Sequence, residues 1–211
     1  MFPGNKMRKN IEKVIFCVLI FCLGELTSCV NTAESSEICF IGDSITFLWD
    51  LEYYFPDKNI VKHGVSGTRI ENIEKWNIDD CIGKKTVVLI GTNNVASNAD
   101  EKPLEDSFYN YFFKYYGGLV HRLKATPFIA VSVLPRNEDG RQPTLVNEQI
   151  EILNNRIRRF LDTAGVDYKY INAFPYFLRE GYSINNDLFS DGLHPSQEGY
   201  ELLSRIIGGE I

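Results

Sequence analysis

Four short runs of residues in this chain carry the groups that acyl-transfer chemistry uses. Gly42-Asp43-Ser44-Ile45 presents a serine hydroxyl at the end of an apolar run. Asp191-Gly192-Leu193-His194-Pro195, near the other end of the chain, sets a carboxylate three positions before an imidazole. A serine becomes a nucleophile when a base takes its proton and a third group holds that base in the right tautomer. Ser44, His194 and Asp191 have the side chains for those three parts. Between them lie Gly64-Val65-Ser66-Gly67 and Gly91-Thr92-Asn93-Asn94. Glycine lets a ligand approach the backbone closely, and N–H groups in such turns can face an anion.

Each of these residues also has a plainer reading. Serine is a preferred helix N-cap, which would account for Ser44. Asp-Gly is a turn pair, and His194 could be an ordinary surface histidine. The chain has three histidines, which narrows the choice of base. His121 falls in a helical pattern and reads as structural. His63, beside Gly64, is the rival base, but no carboxylate neighbours it in sequence. Arg69, just after the second run, could meet an anionic or sugar group or be a plain surface arginine.

The elements that must position these residues follow from the apolar pattern. Short runs rich in Val, Ile and Phe occur at 38–41, 59–62, 86–90, 127–133 and 168–171. They barely alternate, as strands buried on both faces should not. Amphipathic segments separate them. Leu145, Ile152, Leu153, Ile157, Phe160 and Leu161 recur at helical spacing along 144–163, with Gly165 as a stop. Two more helices are predicted, at 104–124, interrupted by Gly117-Gly118, and at 196–207 after Pro195 and Ser196. Strands alternating with helices predict a three-layer α/β/α sandwich around a five-stranded parallel sheet. In such sheets ligands bind beyond the carboxyl ends of the strands, where the first three of the four runs fall. The aromatics between Phe108 and Tyr116 could line an acyl pocket or form a lid, but they are too many for one helix face, so most are expected in the core. The loop 135–144 should overhang the same rim, either touching substrate or merely connecting elements.

Taken in order, the four runs resemble the motif blocks of the SGNH, or GDSL-type, esterase and lipase family over residues 38–205. The resemblance implies a flavodoxin-like SGNH hydrolase fold, with Ser44 as nucleophile, His194 as base and Asp191 as its orienter. It further implies an oxyanion hole built from the Ser44 N–H, the Gly67 N–H and the Asn93 side chain, and chemistry without a metal or other cofactor. Two positions depart from the family pattern. Asn94 stands where the third block usually ends in Asp, and Lys62 where the second commonly begins with Asn. An α/β-hydrolase reading would need Gly-x-Ser-x-Gly around the nucleophile, and the chain has no such motif.

The first residues point to export. Lys6, Arg8, Lys9 and Lys13 precede an apolar stretch of about ten residues, too short to span a bilayer, and Leu26-Thr27-Ser28-Cys29 follows. That tail resembles a bacterial lipobox, which implies a signal peptide at 1–28, lipidation of Cys29, a tether at 29–37 and a hydrolase domain at 38–211. An uncleaved membrane anchor and a start at Met7 stay open as alternatives. With 28 residues removed, the remainder carries 18 Lys and Arg against 26 Asp and Glu. That acidic balance, with no basic stripe, excludes nucleic acid as an expected partner. Of the cysteines left, Cys39 reads as a small buried hydrophobe, with a Cys39–Cys81 disulfide as the alternative. No Cys or His spacing resembles a zinc site.

These observations lead to an exported, lipid-anchored serine esterase that cleaves small acyl esters, with acetyl groups on a carbohydrate as the expected substrate. The alternatives are a lysophospholipase or thioesterase taking longer chains, and a catalytically silent glycan-binding lipoprotein. The sequence leaves the oligomeric state open.

Overall fold

The computed structural model describes residues 37–96, 102–124, 127–137 and 143–211. The signal segment, Cys29 and nearly all of the tether therefore lie outside the described residues, as do positions 138–142 of the loop after the fourth strand. Five parallel strands form one sheet: β1 (Glu37–Gly42), β2 (Asn59–Gly64), β3 (Lys85–Leu89), β4 (Phe128–Val131) and β5 (Tyr168–Ile171), in the order β2-β1-β3-β4-β5. The helices are α1 (Ser44–Leu48), α2 (Leu51–Tyr54), α3 (Thr92–Ala96), α4 (Asp106–Leu123), α5 (Pro143–Thr163) and α6 (Gln197–Gly208).

Alternate residues of β1 feed two separate cores. Cys39 and Ile41 join Phe112, Tyr116, Ile150 and Leu153 from α4 and α5 on one face. Ile38 and Phe40 join Ile45, Trp49, Leu203 and Ile207 from the α1 region and α6 on the other. Each isoleucine, leucine or phenylalanine among them, withdrawn from water, contributes roughly 1.5–3 kcal/mol. The expected three-layer sandwich is thus the observed one. Only β1, β3 and β4 are buried on both faces; β2 and β5, at the edges, are half-buried.

Three local expectations are corrected. Helix α4 runs unbroken through Gly117-Gly118. A Cβ at Gly117 would lie 3.2 Å from the Phe160 ring, so the glycine permits close approach of α5 rather than a break. On α5 the buried stripe is Val146, Ile150, Leu153, Ile157 and Leu161, whereas Ile152 is 40% exposed. Cys39 and Cys81, 42 positions apart, are joined as a disulfide that ties the β2–β3 crossover to β1.

The register aligns Gly42 with both Gly64 and Leu89, so the turns after β1, β2 and β3 emerge at one edge. The chain steps from β1 outward to β2 and then back across to β3, so its direction reverses between β1 and β3. That switch point is where open parallel sheets offer a crevice.

Candidate active site

Ser44 is the first residue of α1, placed at that crevice by the sharp exit from β1. A Cβ at Gly42 would meet the Leu89 carbonyl oxygen at 2.4 Å and the Thr46 hydroxyl at 2.1 Å, so only glycine lets α1 turn so tightly over the sheet. The N-cap is Asp43, whose Oδ1 accepts from the Ile45 N–H at 3.0 Å. The capping role that serine types allow thus falls on Asp43. Ser44 is buried, and its Oγ lies 2.9 Å from His194 Nε2.

His194 is held from both ends. Its Nδ1 lies 2.7 Å from Asp191 Oδ2. With Nδ1–H donating to that carboxylate, Nε2 is left as an acceptor for the Ser44 hydroxyl. Asp191 Oδ1 meanwhile accepts from the Leu193 and His194 N–H groups at 3.0 and 2.7 Å, closing the loop on itself. Burial pushes the Asp191 carboxyl up, but the His194 ring and the two N–H donors outweigh it and hold the group below its ordinary range. The loop is clamped from outside by Asn137 N–H to the Gly192 carbonyl at 2.7 Å. Helix α6 begins directly after it, capped by Ser196, and locks onto the α1 region: Tyr200 donates to the Ile45 carbonyl at 2.9 Å and Trp49 to Ser204 at 3.0 Å. Residues 150 positions apart meet because the helices flanking them are bonded to each other.

The turns that carry Gly67 and Asn93 are bonded to each other. Gly67 has φ of +72°, a conformation that side-chain-bearing residues rarely adopt. The Asn93 amide donates to the Thr68 carbonyl at 2.9 Å, which joins the turn after β2 to the turn after β3. The two departures from the family pattern each have a partner. Asn94 Oδ1 accepts from the Ile70 N–H at 3.0 Å while its Nδ2 donates to Glu71 at 2.9 Å. Aspartate could make the first bond but would repel Glu71. Lys62 donates to the Phe47 and Trp49 carbonyls at the end of α1.

His63 does have a carboxylate, contrary to its sequence neighbourhood: Nε2 sits 2.8 Å from Asp80 Oδ1. Its side of the molecule is β2 and the crossover, whereas the histidine within hydrogen-bond reach of Ser44 is His194. The aromatic run packs as expected: Tyr109, Phe112 and Tyr116 are in the core, Phe108, Phe113 and Tyr115 are partly buried against it, and Tyr111 is half exposed.

Sequence reasoning missed two residues. Arg136, almost fully buried, donates to the Thr92 carbonyl and hydroxyl at 2.9 and 3.1 Å and so braces the turn that holds Asn93. Its position just beyond the fourth apolar run was the available signal. Asp43 is fully buried, with Oδ2 unpartnered among the described residues. Burial pushes its carboxyl up to about 7, against the opposing pull of the Ile45 N–H and of the His194 and Arg136 charges. Cys39, Cys81 and His63 offer ligand atoms within 4.8 Å of one another, but the two sulfurs are bonded together, which leaves no thiolate pair for a metal.

A family model described as GDSL-like lipase/acylhydrolase family matches residues 40–202. Among solved structures, the chain is similar to a candidate platelet activating factor from Streptococcus pneumonia, at 22% identity and TM-score 0.67 over 98% of this chain and 99% of that one. It is similar to a GDSL-like lipase from Bacteroides thetaiotaomicron VPI-5482, at 22% identity and TM-score 0.66 over 84% and 88% of the two chains. It is also similar to the acetylxylan esterase Axe2 from Geobacillus stearothermophilus, at 18% identity and TM-score 0.59 over 82% and 92%. A search of curated proteins returns no match. At these identities the structural likenesses establish the fold.

Proposed function

The chain belongs to the GDSL-like lipase/acylhydrolase family and is an ester hydrolase, and from that premise we propose that Ser44, His194 and Asp191 hydrolyse small acyl esters, acetyl groups on a carbohydrate above all. The observation that carries the proposal is the unbroken line from Ser44 Oγ to His194 Nε2 at 2.9 Å and from His194 Nδ1 to Asp191 at 2.7 Å. In the first half-reaction His194 removes the Ser44 proton as Oγ attacks the ester carbonyl. Negative charge then develops on the carbonyl oxygen. The donors for it are the N–H of Ser44, in the first turn of α1 where no intrahelical acceptor exists, the N–H of Gly67 and the Asn93 amide. His194 returns the proton to the departing alcohol, leaving an acyl-serine. Water activated by the same histidine releases the acid. Asp191 keeps the imidazole in the required tautomer and stabilises its charged form throughout.

The acetyl-on-carbohydrate part is supported by one similar structure being an acetylxylan esterase. Hydrolysis of p-nitrophenyl esters from two to twelve carbons tests it. The account expects kcat/KM to fall steeply beyond acetate; a maximum at eight carbons or more would favour a lysophospholipase or thioesterase. Export and anchoring belong to the same proposal: replacing Cys29 by Ser should move the protein from the membrane fraction to the soluble one.

A further inference from the structure

Beside the oxyanion side of the site lies a second feature, a cleft between the start of α4 and the 3₁₀ helix Ile70–Lys75. It has a volume of about 360 Å³ and is lined by Arg69, Glu71, Asn94, Ser107, Phe108 and Tyr111. That volume falls in the range of small-molecule sites, roughly 300–1,000 Å³. Chain connectivity bounds its distance from Gly67 and Asn93. Asn94 directly follows Asn93, and Arg69 follows Gly67 by two residues, at most about 7.6 Å of backbone. The bonds from Ile70 N–H and to Glu71 hold Asn94, so the cleft wall and the oxyanion donors form one bonded unit.

The lining has a mixed character. Its lining residues carry a guanidinium, a carboxylate, an amide, a hydroxyl and a phenol, beside the rings of Phe108 and Tyr111. Tyr111 is 47% exposed, and its ring is braced against Tyr115 at a centroid distance of 4.9 Å. An alkyl chain would strip water from Arg69 and Glu71 and return no hydrogen bond, which is costly. A carboxylate-bearing or phosphorylated group would meet Glu71 as well as Arg69, on a chain whose net charge is −6. A neutral polyol both donates and accepts, which suits a lining that holds one cation and one anion. The apolar C–H face of a sugar ring suits an exposed phenol ring that is already held in place.

We propose that this cleft seats the alcohol half of the ester and that the alcohol it takes is a neutral sugar ring, stacked on Tyr111 and hydrogen-bonded by Arg69 and Glu71. This rests on the esterase reading of Ser44. Tyr111 would then set specificity through KM for the sugar ester.

The test compares kcat/KM for acetylated methyl β-xyloside with kcat/KM for p-nitrophenyl acetate. In Tyr111→Ala the ratio of the two should fall about tenfold, chiefly through KM for the sugar ester. Tyr111→Phe, which keeps the stacking face, should restore the ratio to within about twofold of wild type. For wild type, acetylated methyl xyloside should outrun both acetylated methyl glucuronoside and octyl acetate. A ratio unchanged in Tyr111→Ala, or a preference for the glucuronoside or octyl ester, overturns the subsite while leaving the esterase reading standing. Failure of the wild type to hydrolyse p-nitrophenyl acetate would sink both.

Discussion

The two flanks of Ser44 are held by different means. On the base side, Asp191 and His194 sit in one five-residue turn, and the carboxylate that orients the imidazole also accepts the backbone N–H groups of its own loop. On the proposed oxyanion side, Gly67 and Asn93 follow different strands, and the segments that carry them are joined by bonds that span more than twenty positions: Asn93 to Thr68, Asn94 to Ile70 and Glu71, Arg136 to Thr92. A disulfide ties the crossover beyond Gly67 back to β1. The base side is thus a local device fastened to the fold by α6. The oxyanion side exists only when the sheet has assembled.

Substitutions can break this contrast. Asp191→Asn should have the largest effect, lowering kcat about 10⁴-fold by favouring the wrong imidazole tautomer. It should also leave thermal stability little changed, because Asn can still accept the two backbone N–H bonds. Steady-state kinetics with a melting curve check both halves. Asn93→Ala removes one proposed oxyanion donor and should cost about 10²–10³ in kcat. Unlike Asp191→Asn, it also removes the bond that joins two strand ends, so a lower melting temperature should accompany the loss.

Asp43 lies between the flanks and sharpens the comparison through pH. Its folded carboxyl is raised from 3.8 to about 7, so the folded protein keeps a proton that the unfolded chain has released. The stability linked to this group is therefore complete below pH 3.8 and is lost as pH rises toward 7. Asp43→Asn keeps the acceptor for Ile45 and has no charge to bury. It should raise stability by on the order of 4 kcal/mol at pH 8 and by almost nothing near pH 4. Chemical denaturation at the two pH values measures the difference. The smallest effect is expected for Asn94→Asp, which sets two carboxylates against each other and should cost about 1–3 kcal/mol. Glu71→Gln in the same chain should recover most of it, and a double-mutant cycle reads the coupling.

This contrast also explains what was legible in the sequence. Strand positions could be read because β1, β3 and β4 are apolar on both faces. Asp191 and His194 could be read because their relationship is local, three positions in one turn. The family blocks supplied Gly67 and Asn93. The bonds that hold those two in place could not be read, since Arg136 meets Thr92 across 44 positions and nothing in either residue's neighbourhood announces it. Distance in sequence likewise hid the Asp80 carboxylate beside His63 and left the Cys39–Cys81 pairing open. Gly117-Gly118 misled because a helix-breaking pair read locally is a close-packing device once α5 lies against it.

The central claim is that Ser44 is a nucleophile activated by His194. Intact-protein mass spectrometry after treatment with a fluorophosphonate, followed by peptide mapping, tests it most directly. The account predicts one adduct per chain, on Ser44, formed at least about a hundredfold more slowly in His194→Ala. No adduct, or an adduct on Ser44 whose rate is indifferent to His194, would contradict it.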